Sequence, residues 1–252
     1  MNWTDQAIVL TTGKYGESSG IVSLITPEFG LHKGLVRGIS SKRNCGIYQT
    51  GNQIEATWKG RLPENLGYFI AELQSANAAN IMQYPDRLAA LNCICIMLTS
   101  TLAEREPAIK IYRYLQEFIA YLKESNRWVL YYILFEIELL AHIGFSLSLS
   151  SCVSTGSTDN LFYISPKSGC AVSKKAGDPY KNKLLRLPDF ILKGVNCDYT
   201  QQDIIDGLKI TSYFFEKHHF IPHNLSVPHA RTYFLHLLKE VKNPENSFVS
   251  II

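Results

Sequence analysis

Lysine and arginine side chains are the residues of this chain whose types and spacing most directly suggest chemistry. They are concentrated in two segments, although the chain of 252 residues has a formal net charge of only +3. Residues 30–62 and 164–193 each carry a net charge of about +5, and the rest of the chain is acidic. Such clusters can hold anionic groups, including nucleic-acid phosphates, through charge. The basic residues of the first segment are Lys33, Arg37, Lys42, Arg43, Lys59 and Arg61.

Catalytic signatures are absent from the sequence, and no enzyme is predicted. The chain has no phosphate-binding loop, no dinucleotide-binding glycine motif, no nucleophile elbow and no His-Glu-x-x-His. His219 and His223 are four residues apart, but Pro222 lies between them. We therefore expect a helix end and a surface loop, and a metal-dependent enzyme that uses the late histidines stays open as an alternative. These histidines are His218, His219, His223, His229 and His236.

The cysteines are scattered, and we expect free thiols. Two Cys-x-x-Cys pairs at a suitable spacing would indicate a zinc site. In this chain Cys152 is followed at the third position by Thr155, and Cys170 is followed by Ser173. Hydroxyl groups are poor zinc ligands, so no bound metal is predicted. No other cofactor is predicted either.

The first 80 residues show the alternation that is typical of short strands. In the segment NQIEATWKG, Ile54, Ala56 and Trp58 share one face, and Glu55 and Thr57 share the other. Five segments of this kind, separated by glycine and proline turns, predict a small barrel or sandwich. They are QAIVLTT, GIVSLIT, LHKGLVRG, NQIEATWKG and GYFIAELQ. The stretch LVRGISSKRN, residues 35–44, is interpreted as a strand end followed by a flexible basic loop.

From Tyr84 the apolar period becomes helical. One helix is predicted from Pro85 to about Glu104, a second from Pro107, and a third from about Arg127 to a stop at Gly144. The second helix has a single apolar face. That face consists of Ile111, Leu115, Phe118, Ile119 and Leu122.

Residues 146–183 form a polar, basic insert that is predicted to be irregular apart from the short strand LFYIS. Helices then resume, because Thr200 and Asp203 resemble a capping box and Pro228 can open a last helix. One side of that last helix carries Phe234, Leu237, Leu238 and Val241. The apolar runs are too short or too interrupted for membrane spans, and the N-terminus lacks the features of a secretory signal. A cytoplasmic protein without membrane contact is therefore expected.

A five-stranded barrel of the OB type often binds single-stranded nucleic acid through a basic groove and stacking aromatic rings. Trp58 is expected in the core, and of the adjacent Tyr68 and Phe69 we expect one to face inward and one outward. The residues alone leave two possibilities open, an ordinary solvated basic surface and nucleic-acid binding, and they do not separate DNA from RNA. The aromatic candidates are Tyr15, Tyr48, Trp58, Tyr68 and Phe69.

Several motifs follow one another in a specific order along the chain. Near the N-terminus these are the turn Tyr15-Gly16-Glu17, the turn from Thr26 to Gly30, and Arg37-Gly38 leading to the pair Lys42-Arg43. In the middle they are LLAHIGFSLSLSSCVSTG and then YISPKSGCAVSKKAG. Their order resembles the RecO family of bacterial recombination mediators, and the two middle segments are similar to that family's leucine-rich helix, Cys-x-x-Cys-Gly element and Ser-Pro-x-x-Gly element. The resemblance extends roughly over residues 1–195.

This resemblance implies an α+β multidomain chain with an N-terminal five-stranded OB-fold β-barrel, a helical domain and a zinc-finger-like insert. The corresponding boundaries are 1–80 for the barrel, 81–145 and 184–252 for the helical domain, and 146–183 for the insert. Cys152 matches a ligand position of the insert but Thr155 replaces the next, so the insert is predicted to be free of metal. An RNA-binding OB-fold protein with a helical scaffold remains the alternative.

The resemblance also implies a function in DNA repair and homologous recombination. It implies binding of single- and double-stranded DNA, annealing of complementary strands, and partnership with RecR and the single-stranded-DNA-binding protein so that RecA is loaded. The acidic, apolar-ended tail of that protein would need an apolar groove flanked by cations, for which Lys110 and Arg113 are the candidates. The predicted DNA-binding residues are Lys33, Arg37, Lys42, Arg43, Lys59, Arg61, Lys174 and Lys175.

Overall fold

The structure is a computed structural model, and the residues that it describes are 2–62 and 64–240. The chain divides into two compact units. Among the described residues, the first is formed by those from Asn2 to Glu124 together with Pro228–Phe234, and the second by Ser125–Val227 together with residues 235–240. No helix in the described ranges is long and apolar enough to cross a membrane.

Five strands of the first unit close into a barrel with the order β1-β2-β3-β5-β4. Neighbouring strands are antiparallel except β3 and β5, which pair in parallel at Leu35 and Tyr68. The strands confirm the five predicted segments, although the first is longer than predicted. They are β1 (Asn2–Tyr15), β2 (Ser19–Thr26), β3 (Gly30–Arg37), β4 (Gln53–Lys59) and β5 (Tyr68–Ser75).

Alternation along the strands fills the barrel interior, as the pattern of β4 shows. Ile54, Ala56 and Trp58 are buried, whereas Glu55 is exposed, so the predicted faces of this strand are confirmed. Side chains from the other strands complete this core, which buries apolar area at about 25 cal/mol for each Å² removed from water. Its further members include Val22, Leu24, Val36, Phe69 and Ala71.

The stretch between β3 and β4 is not the flexible loop that was predicted. Lys42 opens a short helix, α1 (Lys42–Ile47). Ser41 caps this helix because its Oγ accepts a hydrogen bond from the Asn44 N–H at 3.3 Å. The Asn44 side-chain amide also donates to the carbonyls of Arg37 and Gly38, at 3.0 and 3.1 Å. These bonds fix the stretch, so the loop prediction for Lys42 and Arg43 was wrong.

Three further helices belong to the first unit. They are α2 (Asn77–Ile81), which was not predicted, α3 (Pro85–Thr101) and α4 (Ile109–Glu124). The predicted apolar face of α4 is buried throughout, which confirms it. Arg87 of α3 donates from Nη1 to the Leu122 carbonyl at 2.6 Å, and this contact ties α3 to the last turn of α4.

The second unit begins with α5 (Trp128–His142), which is apolar on most sides, as predicted. Gly144 follows with a φ of 97°, a conformation that favours glycine, and it confirms the predicted stop. The insert comes next, and it is more ordered than predicted because two short strands pair with the predicted one. Its elements are β6 (Leu161–Ile164), β7 (Ala171–Ser173), α6 (Lys174–Gly177) and a 3₁₀ helix (Asp178–Lys183). The third strand of the small sheet, β8 (Leu185–Arg186), follows the predicted end of the insert at residue 183, and the strand order is β7-β6-β8.

The remaining helices are α7 (Asp189–Lys193), α8 (Gln201–Phe215), a π-helical turn (Glu216–Phe220) and α9 (His229–Glu240). The predicted capping box is confirmed, since Thr200 and Asp203 exchange side-chain and backbone hydrogen bonds at the start of α8. On α8, Gly207 allows close packing, because a Cβ there would lie 3.1 Å from Ile133 of α5. Phe234 of α9 is fully buried, and Val241 lies outside the described residues.

Candidate nucleic-acid interface

An open cleft of about 500 Å³ lies at one end of the barrel. Strand register brings its walls together: Lys59 pairs with Asn2 of β1 on one side and with Tyr68 of β5 on the other. Leu35 of β3 adds a third wall, because its N–H donates to the Gly67 carbonyl at 3.1 Å. The lining residues are Asn2, Leu35, Arg37, Lys59, Gly60, Arg61, Asn65, Gly67 and Tyr68.

The loop between β4 and β5 is seated on a buried indole ring. Trp58 is 1% exposed, and its Nε1 donates to the Leu66 carbonyl at 3.1 Å. A Cβ at Gly60 or Gly67 would come within 2.4 or 2.5 Å of the Trp58 side chain, and Gly67 has a φ of 59°. Only glycine fits where the backbone crosses the ring this closely, so the two glycines set the floor of the cleft.

Arg105 holds the same loop from another side. Its Nη2 donates to the carbonyls of Glu64 and Asn65, at 2.9 and 3.3 Å. Arg105 itself has a φ of 67°, and its N–H donates to the Leu31 carbonyl of β3 at 2.8 Å. The barrel and the segment after α3 therefore fix the cleft wall jointly. Arg105 could not be identified from the sequence as a positioning residue, because its role depends on contacts with residues about 40 positions away along the chain.

Three of the predicted cations meet at the cleft. Arg37 ends β3, Lys59 ends β4 and Arg61 follows it in the loop. Arg37 and Arg61 are exposed and Lys59 is half-buried. In the part of the chain that the structure describes, none of the three forms an ion pair with a carboxylate. Their charges are therefore available to an anionic ligand.

The aromatic candidates separate by burial. Tyr68 is 40% exposed and lines the cleft, whereas the neighbouring Phe69 is buried at 3%, so the expected alternation is confirmed. Trp58 and Tyr48 are buried and cannot stack on a ligand. Burial also raises the pKa of Tyr48 to about 12. Tyr68 is thus the aromatic ring that the cleft offers.

Lys33 differs from the other barrel cations because it has a partner. Its Nζ lies 2.6 Å from Glu104 Oε1, and both side chains are partly exposed. The two are brought together by a bridge between Leu31 and Glu104. This ion pair compensates part of the Lys33 charge, so Lys33 is a weaker candidate for a phosphate contact than a cation without a carboxylate partner.

Lys42 and Arg43 are exposed in the first turn of α1, and neither lines the cleft. Lys174 and Lys175 are exposed on α6 of the second unit. Lys174 Nζ lies 5.1 Å from the centre of the Phe162 ring, a cation–π contact. Asn2 and Asn65 also line the cleft, and neither could be identified beforehand, since an asparagine carries no local signal for this role.

The insert does not fit a metal ion. Cys152 is buried, and the hydroxyls of Ser173 and Thr155 lower the pKa of its thiol to about 6. The Cys170 thiol lies instead near the Ser168 carbonyl, at 3.7 Å. Across the described ranges no group of three or more His, Cys, Asp or Glu residues could hold a metal. The donor set is one thiol and two hydroxyls, which is a poor zinc site.

Three of the late histidines make contacts within the second unit: His218, His219 and His223. The His218 ring stacks on Phe145 with the ring centres 3.8 Å apart, and burial lowers its pKa. His223 Nδ1 lies 2.7 Å from the His219 carbonyl, and His219 is buried. This arrangement agrees with the expected helix end and gives no support to the metal-enzyme alternative.

Comparison with known proteins assigns both parts of the chain to one family. Residues 1–77 match the family model described as Recombination protein O N terminal, and residues 82–226 match Recombination protein O C terminal.

Full-length relatives agree with these matches. The chain is 39% identical over 237 residues to the DNA repair protein RecO of Rhodospirillum centenum, with 93% of this chain and 94% of that protein covered. It is 38% identical over 239 residues to the DNA repair protein RecO of Bartonella quintana, with 95% and 98% covered. Since two adjacent family models and relatives of nearly the same length all match, the chain belongs to the RecO family of DNA repair proteins.

Proposed function

We propose that this protein binds DNA at the barrel cleft and anneals complementary strands during recombinational repair. The observation that carries the proposal is the convergence of Arg37, Lys59 and Arg61, without carboxylate partners in the described residues, around an open cleft that Tyr68 also lines. A closed barrel with the order β1-β2-β3-β5-β4 suits this use, since we take it to be an OB-fold, a fold that binds nucleic acid on one face.

Annealing follows from contacts of this kind. Lysine and arginine neutralise phosphates and so reduce the repulsion between two strands. They leave the base edges free to pair, because phosphate contacts carry no sequence information. A ring such as Tyr68 can hold one unpaired base until pairing replaces the stacking contact. This proposal requires no catalytic residue and no cofactor.

Both single- and double-stranded DNA are proposed substrates, because phosphate contacts are common to both. Membership of a family of DNA repair proteins favours DNA over the RNA-binding alternative. Competition between DNA and RNA oligonucleotides of the same sequence tests this choice. Stronger displacement by RNA would favour the alternative. A chromosomal substrate in a bacterium implies action in the cytoplasm.

The proposed partners are RecR and the single-stranded-DNA-binding protein, which together would help load RecA. A groove of about 390 Å³ on α4 supports the second partner. It is lined by Ile109, which is 47% exposed, together with the cations Lys110 and Arg113 and with Tyr114 and Glu117. An acidic tail that ends in apolar residues fits such a groove, and a fluorescent tail peptide titrated against Arg113→Glu tests it. Unchanged binding by this variant would exclude the groove.

The salt dependence of DNA binding tests the cleft. Replacing Arg37, Lys59 and Arg61 with glutamine should weaken binding to all sequences alike and reduce the slope of log K against log salt for single strands by about 2. The matched control is Lys33→Gln, whose charge is already paired with Glu104. An unchanged slope in the triple variant would remove the cleft from the DNA-binding surface.

A further inference from the structure

A short segment of the insert presents four lysines and a tyrosine to solvent. Tyr180 is 62% exposed, the most exposed tyrosine among the large hydrophobic side chains at the surface of the described residues. It lies in the 3₁₀ helix between α6 and β8. The four lysines are exposed and, within the described ranges, none forms an ion pair. They are Lys174, Lys175, Lys181 and Lys183.

The segment is anchored to the small sheet on its inner side. Gly177 packs against Tyr163 of β6 so closely that a Cβ there would lie 2.3 Å from the ring. The hydroxyl of Tyr163 donates to Asp178 Oδ1 at 2.9 Å, which engages the one carboxylate of the segment. The Lys174 N–H also donates to the Asn160 carbonyl at 2.9 Å. The lysines and Tyr180 are therefore displayed on a packed support.

Cations also lie near a second ring, that of Phe162, but this ring already makes cation–π contacts with them. Lys174 Nζ and Arg186 Cζ lie 5.1 and 5.6 Å from the centre of the Phe162 ring. Arg186 is further held by Asp203 and Asp206, with N–O distances of 3.0 and 3.2 Å. Phe162 is thus already engaged by Lys174 and Arg186, whereas Tyr180 is exposed and remains open to a ligand.

We propose that residues 174–183 form a second nucleic-acid-binding face, in which the four lysines hold the backbone of a single strand and Tyr180 stacks on an unpaired base. Flexible cations beside an exposed aromatic ring are the combination with which proteins bind single strands without reading their sequence. In a duplex every base is already stacked and paired, so this face selects single strands. The inference deepens the proposed function, on which it rests for its DNA substrate, by giving one strand a site outside the barrel cleft.

Photochemical cross-linking tests the contact directly. The full chain is irradiated with a single-stranded oligonucleotide that carries 5-iodouracil, and the cross-linked peptides are identified by mass spectrometry. We expect a cross-link at Tyr180 that is lost in competition with unlabelled single strand and is absent when the labelled strand is in a duplex. Cross-links that occur only at the barrel, for example at Tyr68, would overturn this inference and leave the cleft proposal standing.

Substitutions give an independent measure. Tyr180→Ala should weaken single-strand binding between about 5-fold and 100-fold, whereas Tyr180→Phe retains it and duplex binding hardly changes. The control is Tyr213→Ala, because Tyr213 is also exposed beside a lysine, with Lys217 Nζ 5.5 Å from its ring centre. Equal losses for single strand, duplex and heparin in Tyr180→Ala would show a general polyanion surface and contradict the stacking role. Single-strand binding that is weakened in the cleft triple variant but unchanged in Tyr180→Ala would also contradict a second face.

Discussion

At the residue scale, the structure distinguishes between lysines and arginines that were equally good candidates for DNA binding in the sequence. Lys59 lines the cleft without a carboxylate partner in the described part of the chain, whereas Lys33 is paired with Glu104 at 2.6 Å. Lys59→Ala should therefore weaken DNA binding several-fold, and Lys33→Ala should change it little. Fluorescence anisotropy at low salt measures both. Equal losses in the two variants would mean that the ion pair opens when DNA binds.

Tyr68 provides a second residue-scale prediction. Its ring is 40% exposed at the cleft, so removing it deletes a stacking surface without opening the core. Tyr68→Ala should cost about 1–3 kcal/mol in single-strand binding and almost nothing in duplex binding, and Tyr68→Phe should retain both. Parallel titrations with the two substrates measure this. A loss that is the same for single strands and duplexes would contradict stacking.

His32 makes the stability of the barrel depend on pH. It is 4% exposed, and neither ring nitrogen has a hydrogen-bond partner within the residues described. Burial, aided by Arg105, lowers its pKa from 6.5 to about 4. Between these two pH values His32 is protonated in the unfolded chain but stays neutral in the folded barrel. The contribution of the neutral His32 to the free energy of unfolding is therefore fully present above pH 6.5 and is lost as the pH falls toward 4.

His32→Phe should remove this pH dependence. The ring is surrounded by Trp3, Trp58 and Phe69, so a phenyl group suits its surroundings. The variant should gain stability relative to the parent as the pH is lowered from about 7 to about 5, because only the parent has the histidine to protonate. Denaturant unfolding at the two pH values measures this. A constant difference between variant and parent would contradict the assigned cause.

At the scale of elements, the cleft depends on a loop that two glycines seat on Trp58. Gly67→Ala adds a Cβ 2.5 Å from the indole at a φ of 59°. We expect it to destabilise the barrel by more than about 1 kcal/mol and to weaken DNA binding together with stability. Gly13→Ala is the matched control, since its Cβ would meet nothing within 4 Å. Thermal unfolding compares the two, and equal midpoints would show that the loop can shift at little cost.

Elements with a long periodic pattern could be predicted from the sequence, and most of the short ones could not, although the four-residue β6 was. The faces of β4 and α4 follow from alternation and from helical spacing, and both are confirmed. The six-residue α1 has too few residues for a period, and its local signal was the Ser41 cap. Strands β7 and β8 have three and two residues, so pairing with β6 is what makes them strands.

At the scale of the whole molecule, the sequence shows which residues could bind DNA but not which of them meet. The types of Arg37, Lys59 and Arg61 indicated phosphate binding. Their convergence depends on the register of β1, β4 and β5. The ion pair of Lys33 with Glu104 is equally a product of tertiary structure. Family membership came from ordered motifs that are individually weak, and the comparisons confirm it.

The central claim is that cations at the barrel cleft allow complementary strands to anneal. The most direct test measures the annealing of two labelled complementary oligonucleotides by fluorescence transfer between the labels at several salt concentrations. The unmodified protein should accelerate annealing at low salt and lose the effect steeply as salt rises. The variant with Arg37, Lys59 and Arg61 replaced by glutamine should remain folded by circular dichroism and should accelerate annealing much less than Lys33→Gln. Full acceleration by this folded triple variant, or no acceleration by the unmodified protein at any salt concentration, would contradict the account.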